Sequence, residues 1–161
     1  MAKVEKLIFW ELNEINFEYV NFYIKEGKLP NWKNFIENHG LFTTSADEKY
    51  NQLEPWIQWP TIRTGLTFDE HKVFRLGDIV DSGLRQHWEV LESKGYDVAA
   101  ISPINASNNT KYSSFWIPDP WVDTEISGNG FIKRFSKALK QTVNDNSNKK
   151  ISFTSIFAIL E

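Results

Sequence analysis

Between Leu53 and Asp78 the chain runs LEPWIQWPTIRTGLTFDEHKVFRLGD, which places two tryptophans, two prolines, a Thr-Gly step and an Asp-x-His pair within one stretch. No helical or strand period runs cleanly through it. The expected form is a tight, polar-rimmed turn feeding a short helix, a setting that often carries chemistry. Asp69 and His71 are of types that coordinate metal ions, although a single such pair in a loop is a weak metal signal. Thr61 and Thr64 carry hydroxyls at positions of helix packing, where capping or backbone hydrogen bonding is the expected role. A second candidate lies near the start, where the apolar run KLIFWEL ends on Glu11 and is followed by Asn13 and Glu14. A carboxylate at the end of a buried strand can hold a hard cation through oxygen. Asn13 and Glu14 read more simply as the capped, acidic start of a helix. His39 precedes a terminating glycine, and His87 beside Trp88 reads as a surface residue.

The elements that must position these groups follow from periodicity. Lys6–Leu12 is expected to be a strand covered on both faces. Phe17, Val20, Tyr23 and Ile24 recur at helical spacing up to Gly27, and Pro30-Asn31-Trp32 starts a second short helix that ends at His39-Gly40. Leu41–Ser45 could be a strand, and 46–52 reads as a polar loop. Thr61–Leu66 is expected to be a helical turn or two closed by Gly65. Leu84–Lys94 is a helix with Gly95 at its end, and Asp97–Ser102 is a buried strand. The order strand, helix, glycine, strand points to a crossover in a parallel sheet. Tyr112–Val122 reads as a proline-punctuated aromatic loop, whose Pro118-Asp119-Pro120-Trp121 step is either a lid or, preferably, a turn anchored by Trp121 in the core. Phe131–Val143 is a basic amphipathic helix in which Lys133, Arg134, Lys137 and Lys140 read as a solvated face. Asn144–Lys150 is a polar linker. The last apolar run, Ile151–Leu160, would leave an element uncovered, so the expectation is the front part of a longer chain.

The 161 residues suit one domain, with no internal repeat and no boundary in the pattern. Hydrophobic residues make up 41% and charged residues 24%, a globular balance. Seven tryptophans and twelve phenylalanines indicate a core of large side chains, with an aromatic-lined cleft as the alternative. A net charge of −3 without a basic stripe argues against nucleic acid. The absence of cysteine excludes disulfides, thiolate metal sites and cysteine nucleophiles. The N-terminus is not a signal peptide, and no apolar run approaches the ~20 residues of a membrane span. These features point to a soluble, cytoplasmic protein.

The sequential order LIFWELN, Gly27-Lys28-Leu29-Pro30-Asn31, Phe35-Ile36-Glu37-Asn38-His39-Gly40, then Trp59, Thr64-Gly65 and His71, resembles the alkaline phosphatase superfamily. The likeness is to its type I phosphodiesterase/nucleotide pyrophosphatase and sulfatase-like branches. It covers residues 6 to about 103 well and the remainder loosely. It implies a three-layer α/β/α sandwich with a mostly parallel sheet, of which residues 1–161 would be a single α/β domain forming the N-terminal, incomplete portion. It also implies a hydrolase of phosphate or sulfate esters that uses a divalent metal (Zn, Mn or Mg), with a small phosphorylated or sulfated substrate and neither nucleic acid nor membrane as partner.

Within that resemblance Glu11 stands where the first metal-binding acid, usually Asp, is expected. Counting back from Thr64-Gly65, the nucleophile falls near Pro55, which makes Glu54 the candidate for a nucleophile or second metal ligand. Proline can be neither, and Glu54 is not a hydroxyl residue. The superfamily draws most of its Asp and His ligands from the later part of its chain, whereas this chain has three histidines in all. The alternative is a non-catalytic descendant that keeps the fold for ligand or partner binding.

Overall fold

A computed structural model describes residues 6–46 and 49–147; the apolar run Ile151–Leu160 lies outside the described residues. Contacts divide the chain into two units, residues 1–47 and 48–161.

In the first unit α1 (Phe17–Lys25) starts where Asn16 turns its side chain onto the helix, its Oδ1 accepting from Glu18 N at 2.9 Å and Tyr19 N at 3.2 Å. Asn16 therefore takes the capping role expected of Asn13, while Glu14 sits in a turn with φ of 56°. The helix stops where Gly27 and Lys28 donate back to Ile24 and Tyr23 carbonyls. Pro30 opens α2 (Pro30–His39), where its missing N–H is not needed, and Gly40 N closes it on Ile36 O at 2.8 Å. Phe17 and Trp32 meet edge-on at 6.3 Å and link the two helices. No described residue of this unit is buried.

Lys6–Leu12 is not a strand, and Leu7, Ile8, Phe9 and Trp10 are 56–81% exposed. Leu41–Ser45 is likewise irregular. A strand, unlike a helix, satisfies its backbone only through a neighbour. Neither segment takes part in a ladder among the described residues.

In the second unit β1 (Ala99–Ile101) pairs in parallel with β2 (Phe115–Ile117), Ala99 opposite Phe115 and Ile101 opposite Ile117. Ser102 N donating to Ile117 O and Ser114 N donating to Val98 O continue the ladder at each end. β2 lies inside the stretch expected to be a loop. Its Phe-Trp-Ile run is short, and Pro118 ends it at once, so the prolines masked the strand. α5 (His87–Ser93) precedes β1 and begins three residues later than expected. Gln86 caps it, with its backbone N–H on Glu89 Oε2 at 2.7 Å, while Leu84 belongs to the preceding turn, donating to Ser82 Oγ. α6 (Gly130–Ser147) runs beyond Val143 into the segment expected to be a linker.

Beneath the sheet Trp88 and Trp116 meet edge-on at 4.9 Å, with Ala106, Val98 and Ala100 packed around them. Ile57, Val73, Ile79 and Val122 are also buried. The described residues thus form a mixed α/β structure, mostly helical, with a short two-stranded parallel sheet.

The Leu53–Asp78 stretch holds α3 (Pro55–Thr64) and α4 (Phe68–His71). α3 ends as expected at Gly65, left-handed with φ of 72°, whose N–H returns to Thr61 O at 2.9 Å. A β-carbon at this position would meet no atom within 4 Å. Gly65→Ala is therefore expected to cost only the backbone strain, about 1–2 kcal/mol, read as a lower denaturation midpoint with an unchanged denaturant slope.

Candidate functional site

α3 begins six residues earlier than its expected start. Pro55 takes the first helical position, and Glu54 precedes it with an extended backbone and no capping bond from its side chain. Pro60 falls inside the helix and is fully buried. A proline there has no N–H for the carbonyl four residues back, so Trp56 O loses its helical donor. Asn105 replaces it, its Nδ2 donating to Trp56 O at 2.7 Å.

Asn105 follows β1, is fully buried, and adopts the left-handed conformation at φ of 47°. Its Nδ2 also reaches Arg75 O at 3.3 Å, and its Oδ1 accepts from Gly77 N at 2.9 Å. Its backbone N–H donates to Oδ2 of Asp119, at 3.0 Å. Asp119 follows β2, is 2% exposed, and accepts from Trp121 N on its other oxygen at 3.0 Å. One asparagine therefore joins the first turn of α3, the 75–77 loop and the segments just past the carboxyl ends of both parallel strands. Carboxyl strand ends are where open α/β sheets bind ligands. Ser102, also beyond β1, has φ of 50°, so two non-glycine residues of this loop are held in a costly conformation.

Arg63, 2% exposed, projects from α3 into the same region. Its Nη1 donates to Ile104 O at 2.5 Å, and the guanidinium lies 5.5 Å from the Trp59 ring and 5.3 Å from the Trp88 ring. Aromatic faces attract the cation, which suits a weakly hydrated guanidinium to burial. Gln86 is fully buried and donates to Ser107 Oγ at 2.9 Å. Glu89, 8% exposed, accepts from Gln86 N, Trp88 Nε1 and Asn109 N.

The residues singled out from the sequence fall differently. Glu11 is half-buried in the first unit, at the end of a run that is not a strand, so the strand-end geometry expected for a cation is not formed there. Glu54 is exposed at the start of α3, in the second unit. Asp69 is exposed and paired with Lys72 at 3.0 Å; hydrogen bonding and charge from Lys72 hold its carboxyl below the usual range. His71 is buried, and its Nδ1 accepts from Val73 N at 3.0 Å. The proton then belongs on Nε2, which donates to Thr61 Oγ1 at 2.9 Å, and Thr61 Oγ1 in turn donates a hydrogen bond to Ile57 O at 3.3 Å. His71 is thus oriented as a donor to Thr61 rather than as a base that could activate it. Thr64 Oγ1 donates to Pro60 O at 2.7 Å, the backbone role expected for these threonines. His39 is exposed at the end of α2, tilted against Phe35. His87 is half-buried, edge-on to Trp88 at 4.7 Å.

Trp121 does not anchor its turn in the core. It is 64% exposed, and the buried Ile117, Asp119 and Val122 hold that segment instead. Among the described residues no three His, Asp or Glu side chains gather as ligands for a metal ion. Nor is any helix among them long and apolar enough to cross a membrane.

Sequence reasoning missed Asn105, Asp119, Arg63 and Glu89. Asn105 and Asp119 carried only the weak signal of polar residues a few positions beyond an apolar run. Arg63 and Glu89 had none, since their burial depends on Trp59 and Trp88 closing over them. Comparison with protein-family models, with curated proteins and with solved structures gives no match.

Two measurements probe this geometry. Thr61→Val removes the acceptor of the buried His71 N–H and is expected to destabilise the fold by about 1–3 kcal/mol in chemical denaturation, while leaving unchanged any ester hydrolysis the protein shows. Burial pushes the Glu89 carboxyl above the ordinary glutamate range, against the pull of its N–H donors. The folded state then holds that proton more tightly than the unfolded chain. Its stabilising contribution is full below the ordinary glutamate value and is lost as pH rises through the raised folded value. A carboxyl-carbon NMR titration should place Glu89 above free glutamate; a midpoint at or below it refutes the assignment.

Proposed function

We propose that this chain carries the strand-end crevice and nucleophile turn of a three-layer α/β/α hydrolase of the alkaline phosphatase superfamily kind, acting on phosphate or sulfate esters. The observation that supports this reading is the bond from Asn105 to Trp56 O, which brings the Glu54–Trp56 turn to the carboxyl ends of two parallel strands. That is the place in the fold where the resemblance puts the attacking group.

Glu54 is the residue in the nucleophile position, and Glu11, in the first unit, is a metal ligand only as the resemblance implies it. A divalent metal (Zn, Mn or Mg) would polarise the ester and neutralise charge on the transferring group. The reading requires ligands beyond those gathered among the described residues. The substrate is a small phosphorylated or sulfated ester, the compartment is the cytoplasm, and neither nucleic acid nor membrane is a partner.

A second reading, a non-catalytic protein that keeps the crevice for ligand binding, draws on the threonines. Thr61 and Thr64 both commit their hydroxyl protons to backbone carbonyls, and the turn itself offers a carboxylate and a proline in place of a hydroxyl.

The two are separated by turnover of bis-p-nitrophenyl phosphate and p-nitrophenyl sulfate with added Zn²⁺ or Mn²⁺. The hydrolase reading expects metal-dependent turnover that Glu54→Ala and Glu11→Ala each lower by at least ~100-fold. Metal-independent background rates in wild type and both variants leave the binding reading standing.

A further inference from the structure

Pro60 and Asn105 lie far apart in sequence, and each carries a feature that its own segment does not need. Pro60 stands inside a helix and removes one of its hydrogen bonds. Asn105 adopts a left-handed backbone and commits its whole side-chain amide, as donor and acceptor, to backbone groups of two other segments. The two features answer each other at Trp56 O, which Pro60 leaves without a donor and Asn105 Nδ2 supplies at 2.7 Å. Had residue 60 carried an N–H, the first turn of α3 would close on itself, and its position would not depend on the loop after β1.

We propose that Asn105 is a positioning residue for the Glu54–Trp56 turn, and that Pro60 makes it one by freeing the carbonyl that Asn105 grips. This rests on the reading of that turn as the attacking-group position. Asn105 itself touches no reacting atom in this account. It acts through Trp56 O on the α3 side, through Gly77 N and Arg75 O on the loop side, and through its backbone N–H on Asp119.

The test is a double-mutant cycle in the full chain, using Asn105→Gly, which keeps the left-handed backbone without strain, and Pro60→Ala, which restores the helical N–H. Asn105→Gly is expected to lower the folding equilibrium constant several-fold or more, about fivefold, with Pro60 present, because a partly buried carbonyl is left without its partner. With Pro60→Ala the same change should cost several-fold less. An additive cycle overturns the proposal.

Metal-supplemented turnover of bis-p-nitrophenyl phosphate separates positioning from mere stability. Pro60→Ala should recover stability in the Asn105→Gly background but not kcat, because a self-closed turn is satisfied yet no longer tied to the end of β1. Recovery of kcat together with stability shows that Asn105 is structural only and overturns the positioning role. Absence of turnover in the unmodified chain removes the hydrolase reading and the positioning role with it. The folding cycle still decides, in that case, whether Pro60 and Asn105 are coupled.

Discussion

One exchanged hydrogen bond joins α3 to the sheet side of the second unit. Pro60 denies Trp56 O its helical partner, and Asn105 supplies another from the loop beyond β1. The carbonyl is partly buried, and leaving it unpaired costs about 1 kcal/mol or more, so the exchange ties the start of α3 to the loop beyond β1. Around it several buried polar groups are paired with neighbours from other segments. Asp119 accepts from Asn105 and Trp121, Arg63 donates to Ile104 O between two indoles, and His71 bridges Val73 and Thr61.

These connections decide what the Leu53–Asp78 stretch does. The groups that looked reactive in sequence are mostly occupied. His71 donates where a base would accept, both threonines face backbone carbonyls, and Asp69 is paired with Lys72 at the surface. Glu54 is exposed at the start of α3, whose first turn is bonded through Trp56 O to Asn105 in the loop after β1. The stretch thus acts first as a structural frame.

Helix ends were the most legible part of the fold. Gly40 and Gly65 stop helices where the sequence places them, because their backbone demands are local. The start of α3 was obscured by its two prolines, one of which suits a first helical turn while the other is tolerated through a partner forty-five positions away in the chain (residue 60 to residue 105). β2 was hidden by Pro118 and Pro120 for a similar reason. Lys6–Leu12 shows the reverse failure: its apolar run is a sound strand sequence, but a strand needs a neighbour that composition cannot supply. For the candidate site, Glu54 and the threonines were visible by residue type. Asn105 and Asp119 were not, since their roles arise from where the chain brings them.

The most direct measurement of this account is the NMR signature of the Asn105 side-chain amide in the full chain. If Asn105 grips Trp56 O, its two amide protons exchange slowly with solvent, have widely separated shifts, and show nuclear Overhauser contacts to both Trp56 and Arg75. Fast exchange, shifts typical of an exposed asparagine and no contact to Trp56 would contradict it.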